Sequence, residues 1–236
     1  MKLHNGPATE EITPPGTGTA GVPVAGSRDG FLAHRAKVVD PQLRAKLYDV
    51  PQAIHEWLEP YGGLENRHVL DFGCGFGETA AGIALGHGAS SVHGVDVQDK
   101  PGQCGPMLAS VFGLESLPAN LRFSRITEHG PAERDAYDVV VSWSVLEHVT
   151  RGLLSSVLGA LHDSLRPGGI AFFQISPLYF SPEGAHLGVL GYQNWEHLLK
   201  QTSEVLDDIA NLSRCQSRAE SPPGAPVHNA EPGDGE

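Results

Sequence analysis

Five short apolar runs punctuate the middle of the chain: His68–Phe72, Val92–Val97, Leu121–Ile126, Tyr137–Trp143 and Ile170–Ser176. Stretches such as Val139-Val140-Val141 and Ala171-Phe172-Phe173 lack the alternation of a half-exposed strand, and suit strands covered on both faces. Between the last two runs, Leu153, Leu154, Val157, Leu158, Leu161 and Leu165 recur at the helical interval, and Arg166-Pro167-Gly168-Gly169 stops the stripe. Strand, helix, strand is a parallel crossover. Its repetition over residues 68–176 predicts an α/β fold with a doubly wound, mostly parallel open sheet, whose ligands bind beyond the carboxyl ends of the strands.

The flanks read differently. Asp40-Pro41 has the form of an N-cap followed by proline at the first helical position, and opens a helix through Gln42–Tyr48. A second helix follows Pro51, with Ile54, Trp57 and Leu58 at helical spacing, and ends at Pro60 and Gly62-Gly63. The last regular element is a helix from about Tyr192 to Leu212, carrying Trp195, Leu198, Leu199, Val205, Leu206, Ile209 and Leu212. Residues 1–28 mix Gly, Pro, Thr and Ala without periodicity, and residues 214–236 are polar with SPPGAP and EPGDGE pieces. Such segments bury too little to offset their ordering entropy, which predicts a flexible N-terminal arm, one domain over 31–213 and a disordered tail.

Composition narrows the partners. Sixteen Lys and Arg against 28 Asp and Glu give a net charge of −12, which repels phosphate backbones and anionic headgroups, so no nucleic acid is expected. No apolar run approaches the roughly 18 to 20 residues that cross a bilayer, and no membrane insertion is expected either. Cys74, Cys104 and Cys215 show no paired spacing, as in a protein of the reducing cytoplasm. The twelve histidines, among them His34, His55, His87 and His197, have no ligand spacing such as H-E-x-x-H, so no metal is expected.

The chemistry concentrates in Val69-Leu70-Asp71-Phe72-Gly73-Cys74-Gly75-Phe76-Gly77-Glu78-Thr79-Ala80, a strand that breaks into alternating glycines and restarts as a helix. Glycines let the backbone turn with positive φ and let a ligand lie against peptide groups, while the new helix aims unpaired N–H groups at it. Gly75-x-Gly77-x-x-Ala80 would also satisfy the dinucleotide fingerprint. Asp71 argues otherwise, because a carboxylate there repels a pyrophosphate and attracts an ammonium group. Asp96 ends the next strand, where an acid suits ribose hydroxyls in either kind of nucleoside site.

The pattern D-x-G-x-G-x-G from Asp71 to Gly77 resembles the first motif of class I S-adenosylmethionine-dependent methyltransferases, and Tyr137–Val149 resembles the fourth strand and turn of small-molecule members related to those of ubiquinone and menaquinone biosynthesis. The resemblance covers residues 69–176. It implies S-adenosyl-L-methionine as cofactor, contacts from Asp71, Gly73, Cys74, Gly75, Gly77, Asp96, Val97, Glu128 and Ser142, and methyl transfer to a small-molecule acceptor such as a hydroxylated metabolite, sugar or lipid precursor. Glu128 stands where the family often has an Asp near the adenine. The family's final two strands have no counterpart after Leu212, which predicts a shortened or frame-shifted copy, or an open sheet edge paired in a homodimer. An oxygen acceptor needs a base, and His148 and His186 are the candidates. The loop 177–191, with Tyr179 and Phe180, suits an acceptor pocket or a cover for the sheet edge, and Trp143 suits core packing or a cation–π contact. A non-catalytic cofactor binder or partner subunit is the alternative, and a nicotinamide-dependent oxidoreductase is disfavoured by Asp71.

Overall fold

A computed structural model describes residues 27–98, 101–182, 184, 188 and 190–219. The expected arm lies outside the described residues up to position 26, but its last two residues are ordered: Ser27 caps α1 (Arg28–His34) by accepting the Gly30 N–H at 3.1 Å. The chain divides into two compact units, one of residues up to Val145 together with Val149–Phe173, the other of Leu146–His148 and Gln174 onward.

The first unit holds the sheet. Strands β1 (His68–Phe72), β2 (Ser91–Asp96), β3 (Leu121–Arg125), β4 (Tyr137–Trp143) and β5 (Leu165–Gln174) run parallel in the order β3-β2-β1-β4-β5. Strand β1 is central, with Asp71 in register with Gly94 on one side and Val141 on the other. The winding reverses between β1 and β4, so the switch point lies at the carboxyl ends of these two strands. Helices α4 (Glu78–Gly86) and α5 (Cys104–Phe112) follow β1 and β2, and α6 (Leu154–Ser164) joins β4 to β5. Buried Val69, Val92, Val139 and Val141 of the sheet share a core with Ala80, Ala81, Ile83 and Leu85 of α4 and Leu108 of α5.

Three expectations need correction. Helix α6 buries Val157, Leu161 and Ser164, whereas Leu158 is exposed and Leu165 belongs to β5. Strand β5 begins five residues before the expected Ile170, because Arg166-Pro167-Gly168-Gly169, instead of lying outside the strand, is strapped to the start of β4. Arg166 Nη1 reaches both Asp138 oxygens at 3.0 and 3.1 Å, and Asp138 also accepts the His68 N–H at 2.8 Å. The two N-terminal helices are one helical run: α2 (Pro41–Arg44), a π-helical turn (Ala45–Asp49) and α3 (Val50–Leu58). Proline 51 does not break it. The wide turn shifts the bonding so that the Val50 N–H reaches Ala45 O, and Pro51 falls in the first turn of α3, where no N–H is required. Leu47, Tyr48, Ile54 and Leu58 are buried, but Trp57 is exposed.

A polar network lies within the sheet. His93 is 1% exposed, its Nε2 stands 3.1 Å from Arg122 Nη1 and 2.8 Å from Ser124 Oγ, and its Nδ1 is 2.5 Å from the Tyr137 hydroxyl. Guanidinium only donates, so Nε2 accepts and Nδ1–H donates to Tyr137. Burial first, then the Arg122 charge, pushes the His93 pKa down to about 4 against the opposing Glu133. A histidine kept neutral stabilises the fold above its unfolded value of about 6.5, and that stability is lost as pH falls toward 4. Tyr137→Phe is expected to lower the unfolding free energy by about 1–3 kcal/mol by leaving Nδ1–H unpaired, as urea denaturation at pH 7 would show. An unchanged midpoint would mean that water replaces the hydroxyl.

In the second unit, α7 (Glu196–Leu199) and α8 (Thr202–Ala219) replace the single helix expected over 192–212. Lys200 is extended at the break, with ψ 150°, its ammonium 2.9 Å from Asp208 Oδ2 and 4.1 Å from the Tyr192 ring centre. Glu204 then accepts the Gln201 N–H at 2.7 Å and starts the new helix. Helix α8 runs on to Ala219, past the start of the expected tail, and residues 220–236 lie outside the described residues.

Candidate active site

The bend after β1 is built as its residue types demand. Gly73, Gly75 and Gly77 have φ of 74°, 56° and 88°, a region closed to most side chains. The Gly73 and Cys74 amides donate to Val95 O at 2.8 and 3.0 Å, tying the bend to the end of β2. A Cβ on Gly73 would overlap Val145, and one on Gly77 would come within 2.5 Å of the Phe123 ring, so both sit against protein. A Cβ on Gly75 would meet nothing within 4 Å. That glycine faces open space.

Asp71 lies under this bend, 2% exposed, and its Oδ2 has no hydrogen-bond partner among the described residues. Burial, then the charges of Glu78 and Asp96, push its pKa up to about 7 against the Ala80 N–H that favours the anion. Glu78, at the start of α4, has a side chain only 12% exposed and pairs with Lys46 of the π-helical turn at 3.6 Å. Three carboxylates therefore gather around one bend, and among the described residues one ion pair, at 3.6 Å, is there to balance them. Asp96 spans the bend: Oδ2 accepts the Gly75 N–H at 3.0 Å and Oδ1 the Gln98 N–H at 2.8 Å. It both caps its own turn and fixes the middle glycine.

The other expected contacts are distributed unevenly. Cys74 is buried with its thiol pushed far above the ordinary value by burial and then by Asp71 and Asp96, and its backbone is bonded within the bend, the N–H to Val95 O and the carbonyl to the Gly77 N–H. Val97 is 44% exposed. Two residues past Asp96, Gln98 lines a cavity of about 330 Å³ with Gly105, Leu117, Phe123 and Arg125. Glu128 is exposed in the Thr127–Gly130 turn and does not line this cavity. Ser142, on β4, is buried with an unpaired Oγ. Trp143 packs against the core, 6.4 Å from the Phe172 ring.

Of the histidines, His148 is exposed in the 3-10 turn Leu146–His148 of the second unit, and His186 lies outside the described residues. Within that unit Tyr179 and Phe180 are exposed, and Tyr179 O is 2.6 Å from the Nε2 of buried His197. Among the described residues no three His, Cys, Asp or Glu side chains are grouped to hold a metal, and no helix is long and apolar enough to cross a membrane. Glu78 and Lys46 were missed from sequence, because a helix-starting acid and a lysine 32 positions earlier carry no spacing signal. An acid in the first turn after a glycine bend was the available hint.

A parallel sheet with a glycine bend at its switch point, an acid beneath the bend and a second acid at the end of the next strand defines the nucleoside-binding α/β class. Comparison narrows that class: the family model for a methyltransferase domain matches residues 42–210, and the chain belongs to the S-adenosylmethionine-dependent methyltransferases. It is 32% identical over 170 residues to the ubiquinone biosynthesis O-methyltransferase of Pseudomonas savastanoi pv. phaseolicola, spanning 71% of this chain and 68% of that protein. The enzyme of the same description from Bordetella avium is 29% identical over 194 residues, 81% and 76% of the two chains. Among solved structures, the Burkholderia thailandensis 1,6-didemethyltoxoflavin-N1-methyltransferase, with 1,6-didemethyltoxoflavin and S-adenosylhomocysteine bound, is 22% identical with a TM-score of 0.42, covering 62% of this chain and 59% of that one. The nicotinamide-dependent reading is thereby set aside.

Proposed function

We propose that the chain methylates an oxygen of a hydroxylated small molecule, with the aminoacyl group of S-adenosylmethionine seated at the glycine bend. The observation that carries this reading is the unpaired, buried Asp71 oxygen beside Glu78 and Asp96, a surplus of negative charge that a primary ammonium would neutralise. Gly75 supports it by leaving room for a ligand against the peptide chain. Asp96 would hold the ribose with the lone pairs its two backbone bonds leave free, and the apolar walls of Leu117 and Phe123 suit an adenine. The likeness to ubiquinone biosynthesis O-methyltransferases favours a hydroxylated ring as acceptor.

When bound, the cofactor supplies a methyl group made electrophilic by its sulfonium. The protein's part is to hold the acceptor in line with that methyl and exclude water, and positioning of this kind supplies much of the acceleration in such transfers. Calorimetric titration with S-adenosylmethionine, followed by incubation with catechol and mass analysis, tests the reading. One-site binding and equal amounts of S-adenosylhomocysteine and guaiacol are expected. Absence of binding heat and of a thermal shift with the cofactor would sink it.

A further inference from the structure

The charges at the glycine bend are of one sign but for a single lysine. Glu78 and Asp96 both bear on Asp71, and among the described residues the cation paired with this group is Lys46, 3.6 Å from Glu78 Oε1. That separation is too long for a hydrogen bond, so the three donors of the ammonium are not spent on Glu78. Stability does not explain the lysine either, because its side chain is 52% exposed and an ion pair so open to solvent contributes little.

The backbone of Lys46 is nevertheless held in place. It lies in the π-helical turn Ala45–Asp49, its carbonyl accepts the Thr79 hydroxyl at 3.4 Å, and the carbonyl of Leu47 rests against Gly82. The wide turn is thus fastened to the first turn of α4, which follows the bend directly and starts at Gly77 without a side-chain cap. Wide turns of this kind are frequent at functional sites. An aminoacyl group is a zwitterion, with an ammonium and a carboxylate on the same carbon. An ammonium drawn to the Asp71 oxygen that has no partner among the described residues brings that carboxylate in among Asp71, Glu78 and Asp96, which repel it. Resting on the seating of S-adenosylmethionine at this bend, we propose that Lys46 binds the carboxylate of the cofactor's aminoacyl group. The uncapped start of α4 adds a field of the same sign.

The test uses the full-length protein with S-adenosylmethionine and with its decarboxylated form, which keeps the nucleoside, sulfonium and ammonium but has no carboxylate. Calorimetry of the wild type at pH 7 should give a Kd about 10- to 100-fold weaker for the decarboxylated ligand. In Lys46→Met, binding of S-adenosylmethionine should weaken by about that factor and binding of the decarboxylated ligand by about twofold at most, so the preference disappears, whereas Lys46→Arg should retain it. The ligand-free Tm of Lys46→Met should move by no more than about 4 °C. Equal losses for both ligands in Lys46→Met, or a preference that survives the substitution, would overturn the proposal and leave Lys46 as a partner of Glu78 alone. Equal wild-type affinities for the two ligands would overturn it too, while leaving the cofactor at the bend. A wild type that binds neither ligand defeats the cofactor's seating and the proposal together.

Discussion

Asp71→Asn is expected to weaken S-adenosylmethionine binding by about 10- to 100-fold, while making the ligand-free protein more stable at neutral pH. The first half follows from charge. Asparagine keeps the size and one carbonyl acceptor but loses the anion, and a hydrogen bond to a charged partner is worth about 1.5–3 kcal/mol, against about 1.4 kcal/mol for each tenfold in affinity. The second half follows from burial, since the same oxygen has no partner among the described residues.

The sign with pH is fixed by the same geometry. The folded pKa of about 7 lies above the ordinary carboxyl value, so the native chain holds this proton more tightly than the unfolded one. Its contribution to stability is therefore complete below about pH 4 and is lost as pH rises through 7, a change on the order of 4 kcal/mol at most. A cationic ligand works against that proton, so wild-type affinity should increase from pH 5 to 8. Calorimetry and urea unfolding across this range measure both effects. Equal cofactor affinity in the two proteins would remove Asp71 from the site.

Gly82→Ala should lower stability by about 1–3 kcal/mol or more, although alanine in a helix interior ordinarily stabilises by about 0.5–1 kcal/mol. Gly82 is buried in the middle of α4, and a Cβ there would overlap Leu47 O, with Leu47 C at 3.0 Å and Pro51 Cγ at 2.6 Å. The backbone of the N-terminal run lies directly on α4, and the methyl group would have to lift it. Gly159→Ala provides the contrast, because its Cβ in α6 would meet nothing within 4 Å and the usual gain should appear. Thermal unfolding of the two variants should move in opposite directions, and a Tm rise in both would show that the N-terminal run does not press on α4.

The strands and the bend were legible because their signals are local. Continuous apolar runs bounded by turns mark buried parallel strands, and alternating glycines after a strand demand positive φ whatever lies around them. The ends of elements were not. Nothing within Arg166-Pro167-Gly168-Gly169 says that Arg166 will grip Asp138, 28 positions earlier, and draw the turn into β5. Pro51 reads as a helix breaker until a wide turn places it where its missing N–H is harmless. At the site, Asp71 could be singled out by its position ahead of Gly73, but its unpaired oxygen and the company of Glu78 depend on packing.

The wide turn at Ala45–Asp49 also sets the phase of α3. Each helical residue advances the winding by about 100°, so one extra residue per turn rotates the downstream half relative to the upstream half by that angle. Leu47 and Tyr48 within the wide turn and Ile54 and Leu58 beyond it are all buried. Deleting a single residue at the end of the wide turn would rotate α3 by about that angle and turn Ile54 and Leu58 away from the core.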